Sequence, residues 1–160
     1  MRELLTLPNP ILRKKCHPVG NFNKEIKELI EELAGYMYAH RTDEIAPIGL
    51  TAPQLGESLQ VIVFYPNPAF REKKGIEELI NPELVYARES ITVTESCLSL
   101  PGKTYTLQRA KLVKVRGYNF DGRKRTYKAR ALFAQMFQHE LNHLDGILID
   151  RIGELIVFRK

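Results

Sequence analysis

The chain has no tryptophan, three methionines and only two cysteines, Cys16 and Cys97, in 160 residues. Two cysteines cannot build a disulfide framework or a zinc site made of four thiolates. No apolar run reaches the roughly 18 residues that a membrane-crossing helix needs, so no membrane partner is expected. The opening stretch from Met1 to Pro8 is too short and too polar for a secretion signal, and Pro8 interrupts it. Repeats, low-complexity tracts and linker-like stretches are missing too, which predicts a single domain over residues 1–160. A reducing, cytoplasmic compartment is the expected location. What is present is a globular composition, 44% hydrophobic and 27% charged, long enough to bury a core without covalent staples. The net charge of +5 fits an anionic neighbour or simple solubility and does not choose between them.

Pro8, Pro10, Pro18 and Gly20 punctuate the first 20 residues, which are expected to run extended over the surface. A helix follows over residues 23–39. Ile26, Leu29, Ile30, Leu33 and Met37 recur at steps of three and four, with Asn23 as N-cap. Short apolar pieces between Gly and Pro then predict strands at 59–65, 78–81, 83–88 and 90–94, with an exposed loop at 67–75. Residues 111–118 alternate basic and apolar, Asp121-Gly122 is a hairpin turn, and 123–129 returns as the partner strand. Residues 131–144 form a second helix, apolar nearly all round and therefore enclosed by protein, and Gly146 stops it. Residues 153–160 suit a short strand or a helical turn. The sum is an α+β fold, with antiparallel sheets packed around a central buried helix.

That helix carries polar groups where burial makes them costly, in Gln138-His139-Glu140-Leu141-Asn142-His143. His139 and His143 are four apart, so both imidazoles leave the same face and can chelate one ion. Glu140 sits one position round, in reach of a water on that ion without being forced to ligate. A hydrolytic site of this kind needs a third protein ligand. The 17 residues after His143 offer no histidine and only Asp145, Asp150 and Glu154 as acids. Cys97, in Glu95-Ser96-Cys97-Leu98-Ser99, is the strongest upstream candidate. A small buried hydrophobe is the competing reading of a lone cysteine, but beside an unfinished two-histidine site the ligand reading wins.

Three segments together resemble the peptide deformylase family. They are Pro47-Ile48-Gly49-Leu50-Thr51-Ala52-Pro53-Gln54, Glu95-Ser96-Cys97-Leu98-Ser99 and Gln138-His139-Glu140-Leu141-Asn142-His143, in the family's order. The flanks Leu7-Pro8-Asn9-Pro10-Ile11-Leu12 and Ile80-Asn81-Pro82-Glu83 agree as well. The resemblance implies that Cys97, His139 and His143 hold one divalent metal, Fe2+ in the typical enzyme, with Zn2+, Ni2+ or Co2+ able to replace it. It implies hydrolysis of the formyl amide of N-formyl-methionyl nascent peptides, with formate released. Glu140 is then the general base and acid, and the oxyanion donors are the Leu98 N–H and the Gln54 side-chain amide. Gly49 matches the position where substrate backbone passes closely. Ile48, Leu132 and Met136 are candidates for the methionine pocket, with ordinary core packing as the competing reading.

Four positions depart from the family's pattern: Pro47 and Ser96 stand for glycines, Thr51 for an alanine and Asn142 for an aspartate. Residues 39–46 also lengthen the connection after the first helix. Ser96 is expected to narrow the cleft, and Asn142 to remove a negative charge near the metal. Glu95 is expected to pair with Arg109 and orient the Cys97 turn. The departures motivate an alternative, a divergent homologue that keeps metal but has narrowed or lost activity. A peptidase cutting internal bonds is a weaker alternative, for want of a downstream third ligand. Lys14, Lys15, Arg123, Lys124, Arg125 and Lys128 could face ribosomal RNA in a weak contact, with a solvated basic face as the favoured reading and no DNA partner.

Overall fold

The computed structural model describes residues 2–40, 47–67 and 75–156. Strands β1 (Gly49–Thr51), β2 (Val61–Phe64), β3 (Glu77–Ser96), β4 (Thr104–Tyr118), β5 (Lys124–Arg130) and β6 (Glu154–Leu155) make one antiparallel sheet in the order β1-β2-β3-β4-β5, with β6 also on β4. Helix α1 (Lys24–Ala39) packs on the β1–β2 side, and α2 (Ala131–Leu144) crosses the other face over β4 and β5. No helix among the described residues is long and apolar enough to cross a membrane.

Helix α1 has the expected bounds, and the Asn23 side chain accepts from the Ile26 N–H as its cap. Ile26, Leu29, Leu33 and Met37 bury one face against Val61, Val63 and Ile80. On the opposite face Ile62, Phe64, Leu79, Val113 and Val115 meet Ala134, Met136 and Phe137 of α2. The alternation of β4 is therefore a division between two layers, odd positions toward α2 and even positions outward.

The structure corrects several expectations. The three pieces at 78–81, 83–88 and 90–94 are one 20-residue strand, β3. Asn81, Pro82 and Glu89 read as breaks in sequence. The pairing register instead shifts between Ile80 and Glu83 and again between Leu84 and Tyr86, and the ladder resumes each time. Asn81 adopts φ 51°, and its side chain bonds both the N–H and the C=O of Val19. Strand β4 begins at Thr104, seven residues earlier than expected, and β1 is an additional short strand, while β6 is the short strand expected as one alternative within 153–160. The first 20 residues are not merely a surface run. They contain a 3-10 turn at Pro10–Arg13, and Leu12, Cys16 and Val19 are buried. The hairpin turn stands as expected, with Gly122 at φ 75° and Asn119 closing it. Helix α2 has the expected bounds but is not enclosed throughout, since Leu132 is 50% exposed. The expected loop at 67–75 and the lengthened connection at 39–46 fall largely outside the described residues, as do residues 157–160.

Candidate metal centre

Three segments converge at one end of the α2 layer: the end of β3 with the turn at Cys97, the start of β4, and the second half of α2. The ligand atoms of Cys97, His139 and His143 lie within 4.8 Å of one another. Cys97 Sγ is 3.2 Å from His143 Nε2. His139 Nδ1 is 2.8 Å from Glu95 Oε2. A carboxylate can only accept, so Nδ1 carries the proton and Nε2 is left to coordinate.

Glu140 is buried beside these groups, and its Oε2 has no hydrogen-bond partner; nor does the buried Nδ1 of His143. A buried carboxylate oxygen without a donor is costly. A cation carrying a water at this point would supply the donor. The set of one thiolate and two imidazoles suits Fe2+, Zn2+, Ni2+ or Co2+ alike. The residues fit a metal centre on chemical grounds, from the donor set and from the orphaned carboxylate oxygen.

The protonation states follow from burial. Burial pushes the Glu140 carboxyl up to about 7, the positive His139 opposing and the Glu95 charge adding. Burial and the His139 and Arg109 charges hold His143 well below the usual histidine range, so it is neutral, as a ligand must be. Burial would lower His139 too, but its bonds to Cys97 and Glu95 outweigh that and lift it to about 10 in the metal-free protein. Metal uptake must displace that proton, so loading strengthens as pH rises.

Glu95 and Arg109 face each other as expected. Arg109 Nε and Nη2 reach the two Glu95 oxygens at 2.8 and 2.9 Å, a two-pronged bond with both side chains almost wholly buried. Arg109 Nη1 continues to Asn142 Oδ1 on α2. Asn142 therefore does more than remove a charge: it anchors the guanidinium that holds the carboxylate that orients His139. Burial would raise Glu95, yet the bonds from Arg109 and His139 bring it down to about 2. A depressed carboxylate contributes stability that is present above its unfolded value and lost as pH falls through the folded one. Unfolding free energy is accordingly expected to drop by about 3 kcal/mol between pH 5 and pH 2 from this group alone. Denaturant titrations across that window check it, and a flat profile there would contradict it.

A cleft of about 220 Å³ opens on the centre. Pro47, Ile48 and Gly49 form one wall, Glu95 to Leu98 another, and Leu132, Met136, His139 and Glu140 a third. Every candidate pocket residue thus lines it, as do Gln54 and Leu98. Gln54 Oε1 accepts from both the N–H and the hydroxyl of Thr51, each at 3.0 Å. Its Nε2 donates to Ser99 Oγ at 3.3 Å. The acceptor end is therefore fixed away from the cleft, and the Thr51 hydroxyl adds a bond that an alanine could not make. Ser96 lines the cleft, but its hydroxyl is within 3.0 Å of the Thr104 hydroxyl across the β3–β4 pair, so it is tied to the sheet.

Gly49 has a role that sequence reading did not find. A Cβ there would lie 2.7 Å from Glu140 Oε1 and 3.0 Å from its Cγ. The bare backbone is what lets the Glu140 side chain occupy its place. Gly49→Ala is expected to displace that carboxylate and lower kcat by at least tenfold (about 1.4 kcal/mol) with metal content unchanged. Formate release measured beside metal analysis checks this, and wild-type kcat in the variant would refute it.

Gln138 and Gln135 were also missed. Gln138 pairs with both the N–H and the C=O of Ala110, each at 2.8 Å. Ala110 lies on the stretch of β4 between the parts covered by β6 and β5, so a side-chain amide completes the ladder where no strand does. Gln135 Nε2 donates to the Thr94 carbonyl at the cleft wall. An isolated glutamine carries no sequence signal for such a partner.

Residues 1–155 match the model of the polypeptide deformylase family. The chain belongs to the polypeptide deformylase family. It is similar to the peptide deformylase of Halothermothrix orenii, 36% identical over 159 residues with 97% of each chain covered. It is also similar to that of Thermodesulfovibrio yellowstonii, 37% identical with 99% of this chain and 94% of the relative covered. Among solved structures, the Legionella pneumophila peptide deformylase superposes with a TM-score of 0.86 at 32% identity, over 95% of this chain and 85% of that one. The Thermotoga maritima deformylase gives 0.83 at 32% identity, over 95% and 97%. The curled antiparallel sheet with two helices is the deformylase fold. The chain is a hydrolase whose activity is the family's, metal-dependent removal of N-terminal formyl groups from peptides.

Proposed function

We propose that Cys97, His139 and His143 hold a single divalent cation, Fe2+ in the cell, and that Glu140, Gln54 and Leu98 perform the hydrolysis beside it. The observation that carries this reading is the buried Glu140 oxygen, unpartnered and next to three converging soft or borderline ligands. When bound, the ion supplies a nucleophile by lowering the pKa of water toward neutrality. Glu140, whose carboxyl burial pushes up to about 7, is placed to accept one proton from the attacking water and to return one to the amine nitrogen as the C–N bond breaks. The Gln54 amide and the Leu98 N–H donate to the oxygen that gains charge at the formyl carbon, each worth roughly 3 kcal/mol. Ile48, Leu132 and Met136 take the methionine side chain, and Gly49 leaves room for both Glu140 and substrate backbone.

Residues 1–160 act as one catalytic domain in this reading, working in the cytoplasm on N-formyl-methionyl nascent chains, with a weak ribosome contact through basic surface. Anaerobic metal analysis combined with a formyl-Met-Ala-Ser assay tests it. One divalent ion per chain with formate release is expected. Stoichiometric metal without formate would favour a divergent homologue that binds metal and has lost the activity.

A further inference from the structure

The six basic residues grouped in sequence do not share a surface. Lys15 pairs with Asp145 at the end of α2, and Arg125 lies opposite Gly117 on the α2-facing side of the sheet. The register of β3, β4 and β5 gathers a different set on the outer face, beside α1. Arg88, Leu112 and Arg130 form one cross-strand row. Tyr86, Lys114 and Lys128 form the next, then Glu83, Arg116 and Thr126, and then Ile80, Tyr118 and Lys124. Arg116 is held by Glu83 at 2.8 Å, and Glu78 beyond it accepts from the Phe120 N–H. Arg88, Lys114, Lys128 and Arg130 have no carboxylate ion pair among the described residues, while Lys124 acts on the Glu83 carboxylate.

Lys114 and Lys128 stand directly opposite each other. Like charges in directly opposed positions of a sheet destabilise it; the row on one side adds Arg88 and Arg130, and Glu83 on the other side is taken up by Arg116. A fold that carries such a conflict, away from the Ile80 end of the face that packs against α1, has its compensation in a partner. Rows repeat every ~7 Å and strands every ~4.8 Å, so the cations tile a strip about 10 Å wide. Tyr86 lies in the same row as the two lysines, with the Arg88 guanidinium over its ring, and Tyr118 is 40% exposed. Phosphate-binding cations and aromatic rings on one sheet surface are what single-stranded RNA uses: backbone charge for affinity and π-faces for stacking.

We propose that the outer face of β3, β4 and β5 is a docking surface for single-stranded RNA. The inference rests on the ribosome contact proposed above and gives it a surface and a chemistry; the catalytic reading does not depend on it, since none of these residues lines the cleft. The test is fluorescence anisotropy with a labelled 12-nucleotide oligouridylate and the full chain. Wild type is expected to bind with log K falling against log[salt] at a slope of about −3, from four or five phosphate contacts. Lys128→Glu, which creates an opposed ion pair with Lys114, is expected to raise the melting temperature yet weaken RNA binding about tenfold or more. Arg125→Glu makes the same charge change on the other face and is expected to leave affinity within about threefold. Formate release should be unchanged in both. Equal losses in the two variants, salt-independent binding, or capture by anionic phospholipid vesicles without RNA binding would overturn the proposal. Oligouridylate binding without co-sedimentation with ribosomes would support the surface and reject the ribosome contact.

Discussion

Glu140→Ala is expected to lower kcat for formyl-Met-Ala-Ser by about 10²- to 10⁴-fold, with metal content and fold retained. The carboxylate is not among the three converging ligands, so its removal leaves the metal-holding set intact. Its burial and its unpartnered oxygen mean that alanine removes an unfavourable group as well as a useful one. The melting temperature of the metal-free variant is therefore expected to stay level or rise while activity collapses, a trade of stability for function at one residue. Steady-state kinetics, metal analysis and thermal unfolding on the same preparation check all three parts. Equal kcat in the variant would sink the proton-transfer role, and loss of metal would recast Glu140 as a ligand.

Arg109→Leu is expected to destabilise the protein by about 3–5 kcal/mol, because it strands the buried Glu95 charge after removing both prongs of its main partner. The same change frees Asn142 and loosens His139, so metal should dissociate faster as well. Arg109→Lys is not expected to rescue it, since one ammonium cannot serve two Glu95 oxygens and Asn142 from a planar fork. Chemical denaturation and chelator-driven metal release are the measurements. A cost under about 1 kcal/mol would mean that water or another cation compensates Glu95.

Both effects trace to residues whose importance was unevenly visible in sequence. The convergence of Cys97, His139 and His143 was legible because its chemistry is local: a four-residue step on a helix fixes two imidazoles, and an unfinished two-histidine site calls for a third donor such as a thiolate. Helices α1 and α2 were legible from apolar spacing and caps. Strand β3 was not, because Asn81, Pro82 and Glu89 look like chain breaks, and only the pairing with β4 shows that the ladder absorbs them. The pairing of Glu95 with Arg109 could be anticipated from an acid next to a ligand. Its extension to Asn142 depends on how β4 and α2 cross, which no spacing encodes. Gly49 was noticed for substrate backbone and not for its neighbour in the fold. Its contact is with Glu140, 91 positions along the chain, and sequence distance of that order hides a steric requirement completely. The basic residues show the same effect: clustering along the chain groups Arg125 with Lys124 and Lys128, whereas the period of two in a strand puts it on the opposite side.

A single ion at the proposed Cys97, His139 and His143 site is what would make the cleft hydrolytic. Titration of the metal-free chain with Fe2+ under anaerobic conditions, followed by formate release, addresses it most directly. Activity is expected to rise linearly, break sharply at one equivalent per chain and stay flat beyond it. Formate release from metal-free protein, or a rise that continues to a second equivalent, would contradict the account.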